Sequence, residues 1–172
     1  MEQFKKRSYR KKKFTPKRKP KPKHPLKVHV WAGKSRRGKT HVCIFNGIMN
    51  ADLYVDILAK TLIPFIKEKF PNAHRFMQDN DPKHTSRTAK MFMEENNINW
   101  WKTPAESPDL NPIENLWHEM KEYIRKYIKP TKEEAILKFW ETVTVEKCNR
   151  YIDHLKTVIP EVIKVNGQAT GY

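Results

Sequence analysis

Two short stretches hold the acids whose spacing could do chemistry: QDNDPKHTS at residues 78–86 and SPDLNPIENLW at 107–117. Between Asp79 in the first and Glu114 in the second lie 34 residues. Carboxylates brought together from distant segments suit divalent ions such as Mg²⁺, which take hard oxygen ligands and leave positions open for substrate phosphate. Two such ions about 4 Å apart can activate a water or a 3′-hydroxyl and stabilise the leaving oxygen of an in-line phosphoryl displacement. A site of that kind normally wants a third carboxylate. Taken singly, each stretch also has an ordinary explanation. Asp79, Asn80 and Asp81 read as a turn of short side chains bonding their own backbone, followed by Thr85 or Ser86 as a helix N-cap. In the run from Asn111 to Glu114, the Asn is a natural N-cap, Pro112 fits the first helical position and the Glu can reach back to the cap amide.

The elements that must position these acids alternate in an α/β order. LKVHVWAG and THVCIFNG, separated by SRRGK with Gly38 for a positive φ, predict a β-hairpin over roughly 26–32 and 40–46. The next segment predicts an amphipathic helix with Asn50 as N-cap. Its apolar stripe runs through Leu53, Ile57, Leu58, Leu62, Phe65, Ile66 and Phe70, and Pro64 is the expected kink. AHRFMQDN predicts a short strand ending at Asp79, which puts that carboxylate at the C-terminal edge of a sheet, where ligand sites of open α/β sheets gather. A helix with Ala89, Phe92 and Met93 inward follows, then the strand INWWKT and a proline-rich loop. The remainder reads as helix over 112–128, 131–143 and 145–159. Trp100, Trp101 and Trp117 sit in apolar strands or stripes and read as core.

Charge points to a polyanion. The net charge is +16, and residues 5–24 hold 12 of the 35 Lys and Arg against a single acid, Glu2, in the first 24 residues. Pro16, Pro20 and Pro22 keep this arm extended. The reading is a basic disordered arm over 1–23, with Lys11, Lys12, Lys13, Arg18 and Lys19 as candidate DNA contacts or an import signal, followed by one domain over 24–172. Closer to the acids, Lys83 could meet a phosphate and His84 could contact the site. His118 and Lys121, on successive turns after Glu114, read as a solvated face that could also approach DNA. The N-terminus has no apolar stretch of a signal peptide, and no run approaches the length of a membrane helix. Cys43 and Cys148 stand about a hundred residues apart without metal-binding spacing. A reducing intracellular compartment fits best, and a small-molecule substrate is not suggested.

The motifs QDNDPKHTS and SPDLNPIENLW, with their 34-residue interval, and upstream HPLKVHVWAGKSRRGK and IFNGIMNADLYVDIL, occur in one order. Together they closely resemble the transposases of the Tc-one/mariner superfamily, over nearly everything but the arm. The resemblance implies an RNase H-like mixed sheet flanked by helices. It also implies an Asp, Asp, Glu triad binding Mg²⁺ or Mn²⁺, two ions in an intact site, and cleavage of transposon-end DNA with joining to a target. On matching positions Asp79 is the second acid and Glu114 the third, both metal ligands. In this family the first acid lies on the first, central strand, ahead of the segment resembling HPLKVHVW. Here only the basic arm precedes that segment, and no Asp occurs before Asp52. The expectation is therefore a catalytic domain truncated at its N-terminus, without the first central strand, its Asp or the family's helix-turn-helix region. Unpaired strand edges would leave it weakly stable alone unless residues such as Phe4 to Tyr9, or another chain, fill the space. DNA is the implied partner, a homo-oligomer is possible and the nucleus is the inferred location. The alternative function is a catalytically inactive, transposon-derived DNA-binding remnant; an unrelated basic RNA-binding protein is more distant.

Overall fold

The structure, a computed structural model, describes residues 28–103, 110–126 and 131–167. The arm, with Lys11, Lys12, Lys13, Arg18, Lys19 and the Phe4 to Tyr9 segment, lies outside the described residues, as does Asp109.

The hairpin forms where alternation placed it. Strand β1 (His29–Trp31) pairs antiparallel with β4 (Cys43–Phe45), with Val30 opposite Ile44. A second small ladder closes its end, β2 (Lys34–Ser35) against β3 (Gly38–Lys39), with Gly38 at φ +118°, a conformation that costs glycine little. Thr40 locks the junction: its hydroxyl accepts from the Gly33 amide at 2.8 Å, and its carbonyl accepts from the Trp140 indole at 2.8 Å.

Helix α1 (Ala51–Ile57) starts at Asn50, whose side chain accepts from the Leu53 amide. It runs through a π-helical segment, Leu58–Leu62, into α2 (Ile63–Lys69). Pro64 was the expected kink. The chain continues past it, because the wider turn ahead of it has the Ile63 amide bonding Leu58 five residues back, and Pro64 falls in the first turn of α2, where a missing N–H costs least. The π turn also displaces the buried stripe. Tyr54, Ile57, Leu58, Thr61 and Leu62 face inward, while Leu53, Phe65, Ile66 and Phe70 are only half-buried.

Strand β5 (Phe76–Gln78) pairs parallel with β6 (Trp100–Lys102), through the crossover helix α3 (Arg87–Glu95) capped by the Ser86 hydroxyl. Three helices end the described chain: α4 (Ile113–Lys126), α5 (Lys132–Glu141) and α6 (Val145–Lys164). The last runs past the expected 145–159 and carries Pro160 inside it. That proline sits at the exposed end of the helix, where one lost backbone bond is the whole cost. No described helix is long and apolar enough to cross a membrane.

Two cores result. Leu116, Met120, Ile136, Phe139, Trp140 and Val143 form one, against which Val28 and Val30 pack. Tyr54, Leu58, Leu62, Ala89, Met93 and Ile98 form the other, against which Trp31, Phe76 and Trp100 pack. Among the described residues β1–β4 and β5–β6 are separate ladders. A cavity of about 600 Å³ lies between them, lined by His29 and Trp31 on one side and Phe76 and Gln78 on the other.

Candidate metal and nucleic-acid site

The two acids that stand 34 residues apart in sequence line this same cavity. Asp79 leaves the end of β5 as the sequence predicts, with 61% of its side chain exposed. Three interactions fix it. Its Oδ1 accepts from the Asp81 amide at 3.2 Å, the Asx turn expected of this run. The same oxygen meets His84 Nδ1 at 2.5 Å. The Asp81 carbonyl accepts from the His84 amide at 2.9 Å, closing the loop beneath them. His84 bonding holds the Asp79 carboxyl below the usual carboxylate range, although burial opposes this.

Glu114 projects from the first turn of α4, where a carboxylate is favoured by the helix dipole. Its amide bonds the Asn111 carbonyl at 3.1 Å, and its side chain meets the Asn111 side-chain amide at 3.5 Å. The expected reach back to Asn111 is thus carried by the side chain of the cap residue. Burial pushes the Glu114 carboxyl up, Lys121 pulls it down, and the negative charge of Asp79 adds to the rise. Negative charge from Asp79 that reaches the Glu114 carboxyl makes this a place suited to a cation. Among the described residues no group of three or more His, Cys, Asp or Glu side chains is arranged to hold a metal. Ions such as Mg²⁺ or Mn²⁺ are commonly held by one or two carboxylates, with water and phosphate oxygens completing the shell, and Asp79 and Glu114 bring two to one cavity.

A buried chain of side chains supports Asp79, and the sequence reading missed it. Tyr54, with no exposed surface, donates its hydroxyl to Gln78 Oε1. Gln78 in turn donates through Nε2 to the His84 carbonyl at 3.1 Å. The Tyr54 ring also lies 4.2 Å from the His84 ring, centroid to centroid. Burial and the nearby Asp79 charge push the Tyr54 hydroxyl well above its usual range, so it stays a donor. The available signal was alternation: Gln78, next to an outward Asp79, had to face inward and needed a polar partner. The neighbouring Asn80 joins the two strand ends by donating to the Thr103 carbonyl at 2.9 Å, while Thr103 donates to the Gln78 carbonyl.

Lys83 does not point freely to solvent. Its ammonium is ion-paired with Asp81, so a phosphate reaching it would exchange one anion for another. His118 and Lys121 are exposed, as a solvated face requires. Trp100 and Trp117 pack on the two cores as expected. Trp101 does not: it is 59% exposed, because it shares the outward face of β6.

A family model described as DDE superfamily endonuclease matches residues 2–137. The chain is 30% identical over 148 residues to the Tcb2 transposase of Caenorhabditis briggsae, covering 84% of this chain and 54% of that protein. It is 27% identical over 150 residues to the Tc3 transposase of Caenorhabditis elegans, covering 84% and 46%. It thus spans about half the length of the curated relatives it matches. Among solved structures, the catalytic domain of Mos1 mariner transposase superposes with a TM-score of 0.71 at 21% identity, over 83% of this chain and 74% of that one. The Mos1 paired-end complex with Mn superposes at 0.77 and 21% identity, over 95% and 51%. These likenesses give the described elements an RNase H-like frame. With that frame, and a family model spanning both acidic motifs and the helix that carries Glu114, the chain belongs to the DDE superfamily endonucleases, as a transposase catalytic domain of the Tc1/mariner kind.

Proposed function

We propose that this domain acts on DNA phosphodiesters, cleaving and joining strands at transposon ends and target, with Asp79 and Glu114 as ligands for Mg²⁺ or Mn²⁺. The observation that carries the reading is the convergence of these two acids on one cavity, with Asp79's charge felt at Glu114. A divalent ion bound there supplies positive charge to the attacking and leaving oxygens of an in-line displacement. The chain's own groups do the positioning. His84 and the Asp81 amide hold one oxygen of Asp79, which fixes the direction of the carboxylate. The first turn of α4 fixes Glu114, and Lys83 offers a cation for a flanking phosphate.

The arm residues Lys11, Lys12, Lys13, Arg18 and Lys19 contribute sequence-independent affinity through counterion release. Solved Mos1 complexes carry paired transposon ends, which supports transposon DNA as partner and a homo-oligomer as the working state. A DNA substrate and the basic arm together support a nuclear location. The test is nicking of supercoiled plasmid by the purified chain in Mg²⁺ or Mn²⁺, beside Asp79→Ala. Cutting that vanishes in the variant and in chelator supports the reading. DNA binding without cutting under either ion would replace it with a DNA-binding role lacking chemistry.

A further inference from the structure

Trp101 departs from the role its sequence assigns it, and its surroundings say what it is for. Alternation along β5 sends Phe76 and Gln78 inward and Arg75, Met77 and Asp79 outward. The register pairs Met77 with Trp101, so the indole stands on that same outward face. Met77 is 41% exposed and Trp101 59%. The Arg75 guanidinium lies 4.7 Å from the centroid of the indole ring. Each of the other four tryptophans is buried or half-buried, so this one is singled out. Along a strand two residues span about 6.6 Å, which sets Asp79 one such step beyond the Met77–Trp101 pair.

We propose that Trp101, with Arg75 over it, is a stacking platform for an unpaired base of the DNA strand whose phosphate is handled at Asp79 and Glu114. The proposal rests on the DNA reading of that site. Every base has a π-face, so an exposed indole binds single strands with little regard to sequence. A guanidinium stacked on the indole adds a cation where the base's own phosphate must lie, and Arg suits both stacking and phosphate recognition. Stacked bases in a duplex expose only their edges, so the platform selects a base that has left the stack. A second copy of the chain seated on Met77 and Trp101 would bury the same surface. The guanidinium, a cation suited to phosphate, favours the nucleotide.

The experiment uses the full chain in chelator, with an oligothymidylate of about ten nucleotides and a duplex of equal length. Tryptophan emission is quenched on titration with the single strand and not with the duplex. Trp101→Phe removes the quenching and keeps most of the affinity. Trp101→Ala weakens the single-strand Kd about 5- to 150-fold and leaves duplex affinity unchanged. Circular dichroism of both variants matches the parent. The proposal is overturned if Trp101→Ala binds the single strand as tightly as the parent while duplex binding persists, a result that leaves the DNA reading standing. It is also overturned if emission follows protein concentration in place of DNA, which assigns the face to a second copy. Failure to bind either DNA removes the DNA reading and this platform together.

Discussion

His84 Nδ1 lies 2.5 Å from Asp79 Oδ1, across the six residues 79–84, whose other bonds leave the carboxylate little freedom. The imidazole is 13% exposed by side chain and the carboxylate 61%, so the base is held inside and the acid is presented outward. One oxygen of Asp79 is thereby committed to the protein, while the residue lines the cavity.

His84→Ala removes the bond that contributes most to depressing the Asp79 carboxyl. Its titration midpoint, followed by carboxyl-carbon NMR, should rise toward the ordinary Asp value. Because the native carboxyl is depressed, its stabilising contribution is full above the ordinary Asp range and is lost as pH falls through the native value. The variant should therefore show a shallower acid limb in a stability profile. An unmoved midpoint would mean that the bond does not form in solution.

Tyr54→Phe deletes one hydroxyl and leaves the Gln78 acceptor buried without its donor. A cost of about 1–3 kcal/mol in urea unfolding is expected for such an orphaned group. The loss should be accompanied by weaker Mn²⁺ binding, read by electron paramagnetic resonance, since Gln78 also holds the loop at the His84 carbonyl. A purely structural role would lower stability alone.

Lys34, on the wall of the same cavity, offers a separate pH test. Its ammonium is buried above the Tyr151 ring, without a hydrogen-bond acceptor among the described residues, and burial lowers its pKa from 10.5 to about 8. Below pH 8 both states carry the proton and the native state bears the desolvation cost. Between 8 and 10.5 the unfolded chain holds more protons, so native stability rises with pH. Lys34→Met should be more stable than the parent by about 1–2 kcal/mol at neutral pH, after allowance for partial exposure. The advantage should shrink across that window, and a constant difference would refute the linkage.

Leu116→Ala tests whether α4 holds Glu114 by packing. Leu116 is fully buried two residues beyond the acid. Unfolding free energy should fall by about 2–5 kcal/mol. Any divalent-ion affinity should fall with it, because the helix that aims the carboxylate loses its anchor.

Local rules made much of this legible. Asn50 and Ser86 cap their helices with the side-chain bonds their positions imply. The run from Phe76 forms a strand that delivers Asp79 to its end, and the turn chemistry of Asp81 follows. Three features were not legible, each because a nonlocal partner decided it. Trp101 looked like core from its apolar neighbours, yet which face of β6 is covered depends on the helices packed across it. The π segment ahead of Pro64 depends on Tyr54 and Leu62 reaching one core together. The Tyr54–Gln78 bond joins residues 24 apart that stand in two different motifs, so neither motif alone shows it.

Strand β1 is three residues long, and its alternate side chains belong to different cores: Val30 to the one beneath α4 and α5, Trp31 to the one beneath α1 and α3. A strand so short cannot transmit much cooperativity. Native-state hydrogen exchange should resolve two units opening at different free energies, with the β1 amides reporting the lower of the two. Asp79 rides on one unit and Glu114 on the other, so opening of either half would separate the pair long before the chain as a whole unfolds.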